Sequence, residues 1–405
     1  MGSIITLDIG KIQFDWGKDS SFTDHSPLFQ LSNLQPIPYY YADEIQMKEG
    51  FSSKLSSVKK RLDLLGYSIT SISQNYEHII RDTPLGVFED YELISFDILY
   101  KVIYALDLNE IMARLNNIGN VVSAMDFELG DYIYRLVLKE LGIKANEDLH
   151  VNSFIRYMHP YVFLRIIADN PRNENFNLQW RIGDVIDGGW ENRGFFIKPL
   201  EKAHKILIVT EGKSDSRILK RVIEEFYSSI VDFFEFIDMK ENYPFTGVGN
   251  LLNFYKGLAK INIQDKVLFI FDNDTAGVEK YSETKKINAS PNLYACLLPC
   301  HSDFENFRTI GTEGEGYSNI NGKAVTIECF LDFKNFDPHV RWIAYNEKMN
   351  QYQGTINPKA ELISVFDKCN NLSAAYNTTK LVFLVDYLIS LTTTNILDNP
   401  FKPNY

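Results

Sequence analysis

The chain has 405 residues, is 45% hydrophobic and 23% charged, and carries a formal charge of −12. At roughly 100–200 residues per domain that length gives two or three globular domains, and the composition excludes wholesale disorder, a collagen-like repeat and a coiled-coil rod. The acidic balance disfavours tight metal-free binding to nucleic acid, which rests on phosphate neutralisation, but leaves room for a local basic groove or a site where bound metal supplies positive charge.

Four cysteines make no disulfide scaffold, and the start does not read as a secretory signal. With no run of about 18 apolar residues either, the expectation is a reduced, cytoplasmic protein without membrane spans. Met1-Gly2-Ser3-Ile4-Ile5-Thr6 fits a myristoylation pattern, but the run is read as the approach to a first strand.

In chain order, Ile4–Leu7 and Phe29–Leu31 are strand candidates, followed by a Pro/Tyr stretch, Pro36–Tyr41. A helix is predicted from about Asp43 to Leu65, stopped by Gly66, a residue that tolerates a left-handed cap. Phe96–Leu108 and Tyr132–Leu141 have the period of amphipathic helices, the second stopped by Gly142. Asn170–Asn177 and Gly188-Gly189 read as loops, and a boundary falls near residues 190–200.

Beyond it the texture becomes an alternation. His204–Thr210 is a buried-strand pattern running into Glu211-Gly212, and Ser214–Ile230 is helical. Asp232–Ile237 is a second strand, and Gly247-Val248-Gly249 precedes the helix Leu251–Ala259. Val267–Phe271 is a third strand ending at Asp272-Asn273-Asp274-Thr275-Ala276-Gly277; a further helix and a fourth strand, Asn292–Leu298, follow. Such alternation predicts parallel βαβ units, whose ligand sites lie beyond the carboxyl ends of the strands. After Cys300 come a Gly-rich stretch (Gly311–Gly322), a strand-like Ala324–Phe330, an aromatic segment at Trp342–Tyr345 and a final helix, Thr379–Leu391.

Glu211, Asp272 and Asp274 therefore follow strand ends that can be neighbours in one sheet. Converging carboxylates repel, and their pKa values rise until some are protonated. A hard divalent cation removes that penalty, and Mg²⁺ takes carboxylate oxygens, waters and phosphates, which suits phosphodiester chemistry. Any one of these acids alone would be read as a helix cap or turn residue; three at corresponding strand ends favour a metal site.

Ile206–Asp215, with Glu211-Gly212-Lys213-Ser214-Asp215, and Phe269–Gly277, with Asp272-Asn273-Asp274, resemble a Toprim domain, as found in topoisomerases, bacterial primases, OLD-family nucleases and ribosomal-RNA maturation nucleases. The resemblance implies Glu211 as metal ligand or general acid/base and Asp272 and Asp274 as metal ligands. Asp215 would be an acid for a second ion, or simply a first-turn acid favoured by the helix dipole.

Asp15-Trp16-Gly17-Lys18, Leu28-Phe29, Leu64-Leu65-Gly66-Tyr67-Ser68-Ile69 and Tyr76-Glu77 resemble the HEPN/Toprim-associated N-terminal domain family, bacterial proteins linked to mobile-element conflict and antiviral defence. The Arg-x4–6-His pair of HEPN ribonucleases is absent: Arg156–His159 is too close and Arg193–His204 too far apart. Neither a primase zinc domain nor a topoisomerase nucleophile domain is recognisable.

Glu328, an acid on an apolar strand-like run, must meet a metal, a cation or solvent. Lys359 lies where OLD-type nucleases often present a lysine and could stabilise phosphate charge; by residue type alone it reads as a solvated surface lysine. Gly212-Lys213-Ser214 mimics the end of a Walker A loop, but Leu207 stands where its first glycine is needed. Because OLD nucleases carry an ATPase in the same chain, the resemblance implies an ATPase or sensor partner in trans. Cys296-x3-Cys300-His301 is a poor match to zinc spacing, and the aromatic residues follow core periodicity more than that of a base-stacking surface.

The sequence reading is an α/β protein: an α+β N-terminal domain (1–195), a Toprim-type parallel-sheet domain (203–305) and a C-terminal α/β extension (306–405). Its expected activity is Mg²⁺- or Mn²⁺-dependent hydrolysis of DNA or RNA, as effector of a bacterial antiviral system and as monomer or homo-oligomer. The alternatives are a ribonuclease for tRNA or ribosomal RNA, and a non-catalytic module binding a nucleotide or partner.

Overall fold

The computed structural model describes residues 2–41, 44–81, 94–117, 129–143, 155, 158–237 and 247–394. The expectations touching Met1, Asp43 and Arg156 lie outside these residues. The fold is α/β, and it divides into two compact units that meet in sequence at Glu201/Lys202.

The first unit is built on five antiparallel strands: β1 (Ile4–Ile9), β2 (Ile12–Lys18), β3 (Leu34–Tyr40), β4 (Ile45–Lys54) and β5 (Asn177–Arg181), in the order β2-β1-β5-β4-β3. Its helices are α1 (Leu55–Leu62), α2 (Ile69–Gln74), α3 (Tyr76–Arg81), α4 (Phe96–Tyr104), α5 (Leu108–Asn117), α6 (Leu129–Glu140), α7 (Pro160–Ile167), α8 (Gly183–Asp187) and α9 (Arg193–Phe196). Trp180 is buried at its centre, with its ring near Phe29, Phe51 and Phe196.

Two sequence expectations fail here. The helix predicted up to Leu65 is a strand as far as Lys54, because Ile37 and the Trp180 region give Ile45–Lys54 partners on both sides. Such pairing overrides local helix propensity. Phe29–Leu31 is no strand: Leu31 opens a short 3-10 turn, and Arg61, itself buried, donates to the carbonyls of Pro27 and Phe29, so those backbone groups need no sheet neighbour. Gly66 does adopt the expected left-handed conformation, φ +91°, and Gly142 likewise, φ +70°.

The second unit contains a four-stranded parallel sheet of β6 (Ile206–Thr210), β7 (Phe234–Phe236), β8 (Lys266–Phe271) and, after the two-residue β9 (Asn273–Asp274), β10 (Leu293–Leu297), ordered β10-β8-β6-β7. Helices α10 (Lys213–Phe226), α11 (Val248–Lys260) and α12 (Thr275–Thr284) connect these strands. All six residues of β8 are buried, the pattern of an interior parallel strand.

A second sheet, β12 (Gly314–Ser318), β11 (Phe307–Gly311), β14 (His339–Asn346) and β15 (Gln351–Asn357), follows in that spatial order. The run Ala324–Phe330 is not one strand. Only β13 (Ala324–Val325) pairs, antiparallel to β9, and the chain then enters a 3-10 turn, Ile327–Phe330. Helices α13 (Lys359–Lys368), α14 (Leu372–Ala375) and α15 (Thr379–Thr394) complete the unit's described elements. No helix of the described residues is long and apolar enough to cross a membrane.

Candidate functional site

The site grows from the carboxyl ends of β6 and β8, which are hydrogen-bonded neighbours in register from Ile206/Lys266 to Thr210/Ile270. Thr210 Oγ shares a 2.7 Å hydrogen bond with Ser216 Oγ and donates to the Gly212 carbonyl at 3.0 Å, fixing the turn that carries Glu211. The Glu211 carboxylate accepts from the Val248 amide at the start of α11, and Gly247 supplies the positive φ (+92°) that lets the chain enter that helix there.

Asp215, three residues after the N-cap Gly212, caps the start of α10, accepting from the Gly212 amide at 2.9 Å and the Ser214 hydroxyl at 3.1 Å. Asp274 caps α12: its Oδ1 accepts from the Gly277 amide at 2.7 Å and its Oδ2 from Gln353 Nε2 at 3.0 Å. Gly277 is required in the turn, because a Cβ there would stand 2.0 Å from the Asp272 carbonyl oxygen. Both acids thus have the capping role that sequence allowed them.

Burial and mutual repulsion raise these groups together. Desolvation, then Asp274 and Asp215, lift Glu211 to about 7. Desolvation and Glu328 lift Asp215 to about 6. Asp272 is packed round by neighbouring atoms while keeping part of its surface open; desolvation, followed by the charges of Asp215, Glu211, Asp274 and Glu328, pushes it well above the ordinary range. Asp274 is raised mainly by desolvation, against the amides of Gly277 and Ala276.

Glu328 arrives through the pairing of β13 with β9, Ala324 opposite Asp274. It is fully buried, accepts from Thr326 Oγ1 at 2.6 Å, and has its other oxygen 3.1 Å from Lys359 Nζ with no aligned hydrogen bond. Sequence placed it on a strand; it lies on the 3-10 turn, and of its three expected partners it meets the cation. Lys359 follows β15, has a half-exposed side chain, and is held charged by Glu328, then Asp272 and Asp215, against a desolvation that opposes this. It is therefore an ion-paired lysine rather than a freely solvated one.

All six residues singled out in sequence thus belong to one electrostatic cluster. Gln353 joins it without sequence warning, through Asp274, and Asn273 and Lys380 support the segments that carry the acids. Asn273 is buried and donates to Cys300 Sγ at 3.4 Å. Lys380 donates to the Cys329 carbonyl at 2.8 Å, with Nζ 3.5 Å from the Phe333 ring centre, bracing the turn that bears Glu328. A glutamine in an alternating strand has no distinguishing pattern, and α15 is remote in sequence from Cys329.

Among the described residues no three histidine, cysteine or carboxylate side chains already stand as an ion-coordinating group. The donor chemistry nevertheless suits a hard cation, since every ligand atom available is a carboxylate oxygen. Their raised pKa values express burial first and mutual repulsion second, and a cation relieves both; the buried Glu328 Oε1 already faces one positive charge, the Lys359 ammonium.

The family model for the HEPN/Toprim N-terminal domain 1 matches residues 1–204, half of the chain. The chain belongs to the HEPN/Toprim N-terminal domain family. No curated protein and no solved structure matches it. The HEPN/Toprim N-terminal match covers the first unit, whereas the carboxylate cluster lies in residues 211–359, beyond it. Membership associates the chain with Toprim-related, nuclease-like proteins.

Proposed function

We propose that the second unit is a Toprim-type nuclease that hydrolyses nucleic-acid phosphodiester bonds with Mg²⁺ or Mn²⁺. The observation that carries this reading is that Glu211 and Asp272–Asp274 follow neighbouring strands of a parallel sheet, with Asp215 on α10 and Glu328 on the turn after β13 close enough that burial, then their mutual charge, raises the pKa values of Glu211, Asp215 and Asp272. Glu211, Asp272 and Asp274 would hold the cation, with Asp215 and Glu328 available to a second. Bound there, a divalent cation supplies charge neutralisation for a phosphate and a more acidic water.

The protein's own groups have separable parts. Glu211 is raised to about 7 by burial and by Asp274 and Asp215; a bound cation would lower it again, so the carboxylate would serve as an ionised ligand. Asp274 is held in one rotamer by Gly277 and Gln353, so its remaining lone pairs are directed. Lys359 keeps a positive charge beside Glu328 and, through its half-exposed position, can meet a phosphate oxygen. The setting in bacterial antiviral defence, with an ATPase or sensor partner, rests on the family resemblance.

A second reading has its own support: Asp215 and Asp274 already satisfy helix caps, which suits a module that binds without turnover. The test separates the two. Wild type, Glu211→Ala and Asp272→Ala are incubated with plasmid, single-stranded DNA and total RNA in Mg²⁺, Mn²⁺ or EDTA. Cation-dependent cleavage falling at least about a hundredfold in both variants, the loss typical of a key catalytic group, supports the nuclease and names its substrate. Cation binding by calorimetry without cleavage supports the binding module; cleavage that persists in both variants moves the chemistry elsewhere.

A further inference from the structure

One surface beside the carboxylates is unlike the rest of the unit. Tyr345 on β14 and Tyr352 on β15 are cross-strand partners, ring centres 5.1 Å apart at 68°, yet they are 48% and 54% exposed. On this face of β15 the following alternate residues, Gly354 and Ile356, are buried, so the rings extend the apolar face into solvent. Both are anchored: Tyr345 donates its hydroxyl to Asn350, and the Tyr352 carbonyl accepts from Thr275 Oγ1 at 3.0 Å. Thr275 follows Asp274, and Gln353, next to Tyr352 but on the other face of β15, holds the Asp274 carboxylate, so the rings reach the acids only across the edge of that strand. The exposed rings are thus fastened to the same backbone that presents the acids.

The turn joining the two rings carries one acid, Glu347, and one base, Lys348, and a further cation comes from the segment before β13. Lys323 is bridged through its backbone to Asp274 and to Gly354, and its ammonium has no ion pair or hydrogen bond among the described residues. Glu279, the acid facing this hairpin, is already engaged by Lys280 at 3.2 Å, Lys348 at 3.1 Å and Asn346 at 3.0 Å.

We propose that Tyr345, Tyr352 and Lys323 form a docking surface for single-stranded nucleic acid leading to the carboxylate cluster. This deepens the nuclease reading and rests on it. The rings stack unpaired bases, which any sequence supplies and a duplex keeps to itself, while Lys323 meets a backbone phosphate. The strand is thereby brought to the acids from the β15 side.

The test measures binding apart from cleavage. In a full-length Glu211→Ala/Asp272→Ala background with Mg²⁺, where two mutually repelling charges are gone and cutting is silenced, fluorescence anisotropy is read with labelled dT20, rU20 and a 20-base-pair duplex. Tyr352→Leu and Tyr345→Leu are each expected to weaken the single strands about tenfold. Tyr317→Leu, 69% exposed on β12 across the same sheet, leaves affinity unchanged. Circular dichroism confirms folding, since leucine keeps the apolar contact.

The dT20 and rU20 arms distinguish DNA from RNA as the source of the strand. The surface is refuted by Tyr→Leu variants that bind like their parent, by a duplex that binds more tightly than either strand, or by a parent that binds none of the three. Binding that follows the tyrosines, together with a wild type that cleaves nothing, retires the nuclease reading and leaves the surface standing.

Discussion

At the residue scale, the candidate site is a set of acids whose ionisation opposes their own assembly. Glu211 titrates near 7 in the folded protein and near 4.5 in an open chain. Below 4.5 both states are protonated and the group contributes no difference. Between 4.5 and 7 the unfolded chain releases a proton that the folded one retains, so stability falls as pH rises, and above 7 the loss is complete. The expected loss is on the order of 3 kcal/mol. Urea unfolding in EDTA at a series of pH values reads it: Glu211→Gln flattens the decline, and equal slopes for variant and wild type refute the assignment. Glu328 and Lys359 follow a different logic, because the buried carboxylate has a fixed cation and a hydroxyl donor. That pairing was legible only as a need, since burial of a lone acid on an apolar run demands a partner whose identity sequence leaves open.

At the element scale, two-residue β9 does more than its length suggests. It links the end of β8 to the start of α12, and pairing with β13 brings in the turn bearing Glu328. Its geometry depends on Gly277, where a methyl group would collide with the Asp272 carbonyl. Gly277→Ala is expected to destabilise the protein by about 2–3 kcal/mol and to abolish cleavage at temperatures where the variant remains folded. Thermal melts and activity below the melting temperature check this together; an Ala variant of unaltered stability would show that the turn can yield. Helices α10 and α11 and strands β6 and β8 were readable from buried runs alternating with 3.6-residue periodicity. The β4 strand was not, because the alternation of Ile45, Met47 and Phe51 is broken by Glu49 and Gly50, and the segment acquires its conformation from the strands on either side.

At the scale of the whole molecule, a net charge of −12 sets how a polyanion can be bound. The proposed surface offers Lys323, and the carboxylate cluster to which it leads holds Lys359, shared with Glu328, so one or two phosphates are neutralised. Affinity for single strands is expected to fall with added salt at a log–log slope between about −0.7 and −1.5. Titrations from low to moderate ionic strength measure it. A slope steeper than about −3 would require a basic track elsewhere on the chain, and the contribution of the two tyrosines would then be minor.

Sequence alone determined the alternating core of the second unit and the placing of acids after β6 and β8. Buried strands and strand-end carboxylates are local patterns, written in contiguous residues and independent of what lies across the fold. Tertiary structure alone decided the rest: that Gln353 holds Asp274, that Lys359 answers Glu328, that Lys380 braces the turn between them, and that β4 is a strand. Each of those depends on groups far apart in the chain. Their energy comes from hydrogen-bonding and charge neutralisation between neighbours that folding creates, and no local pattern carries that information.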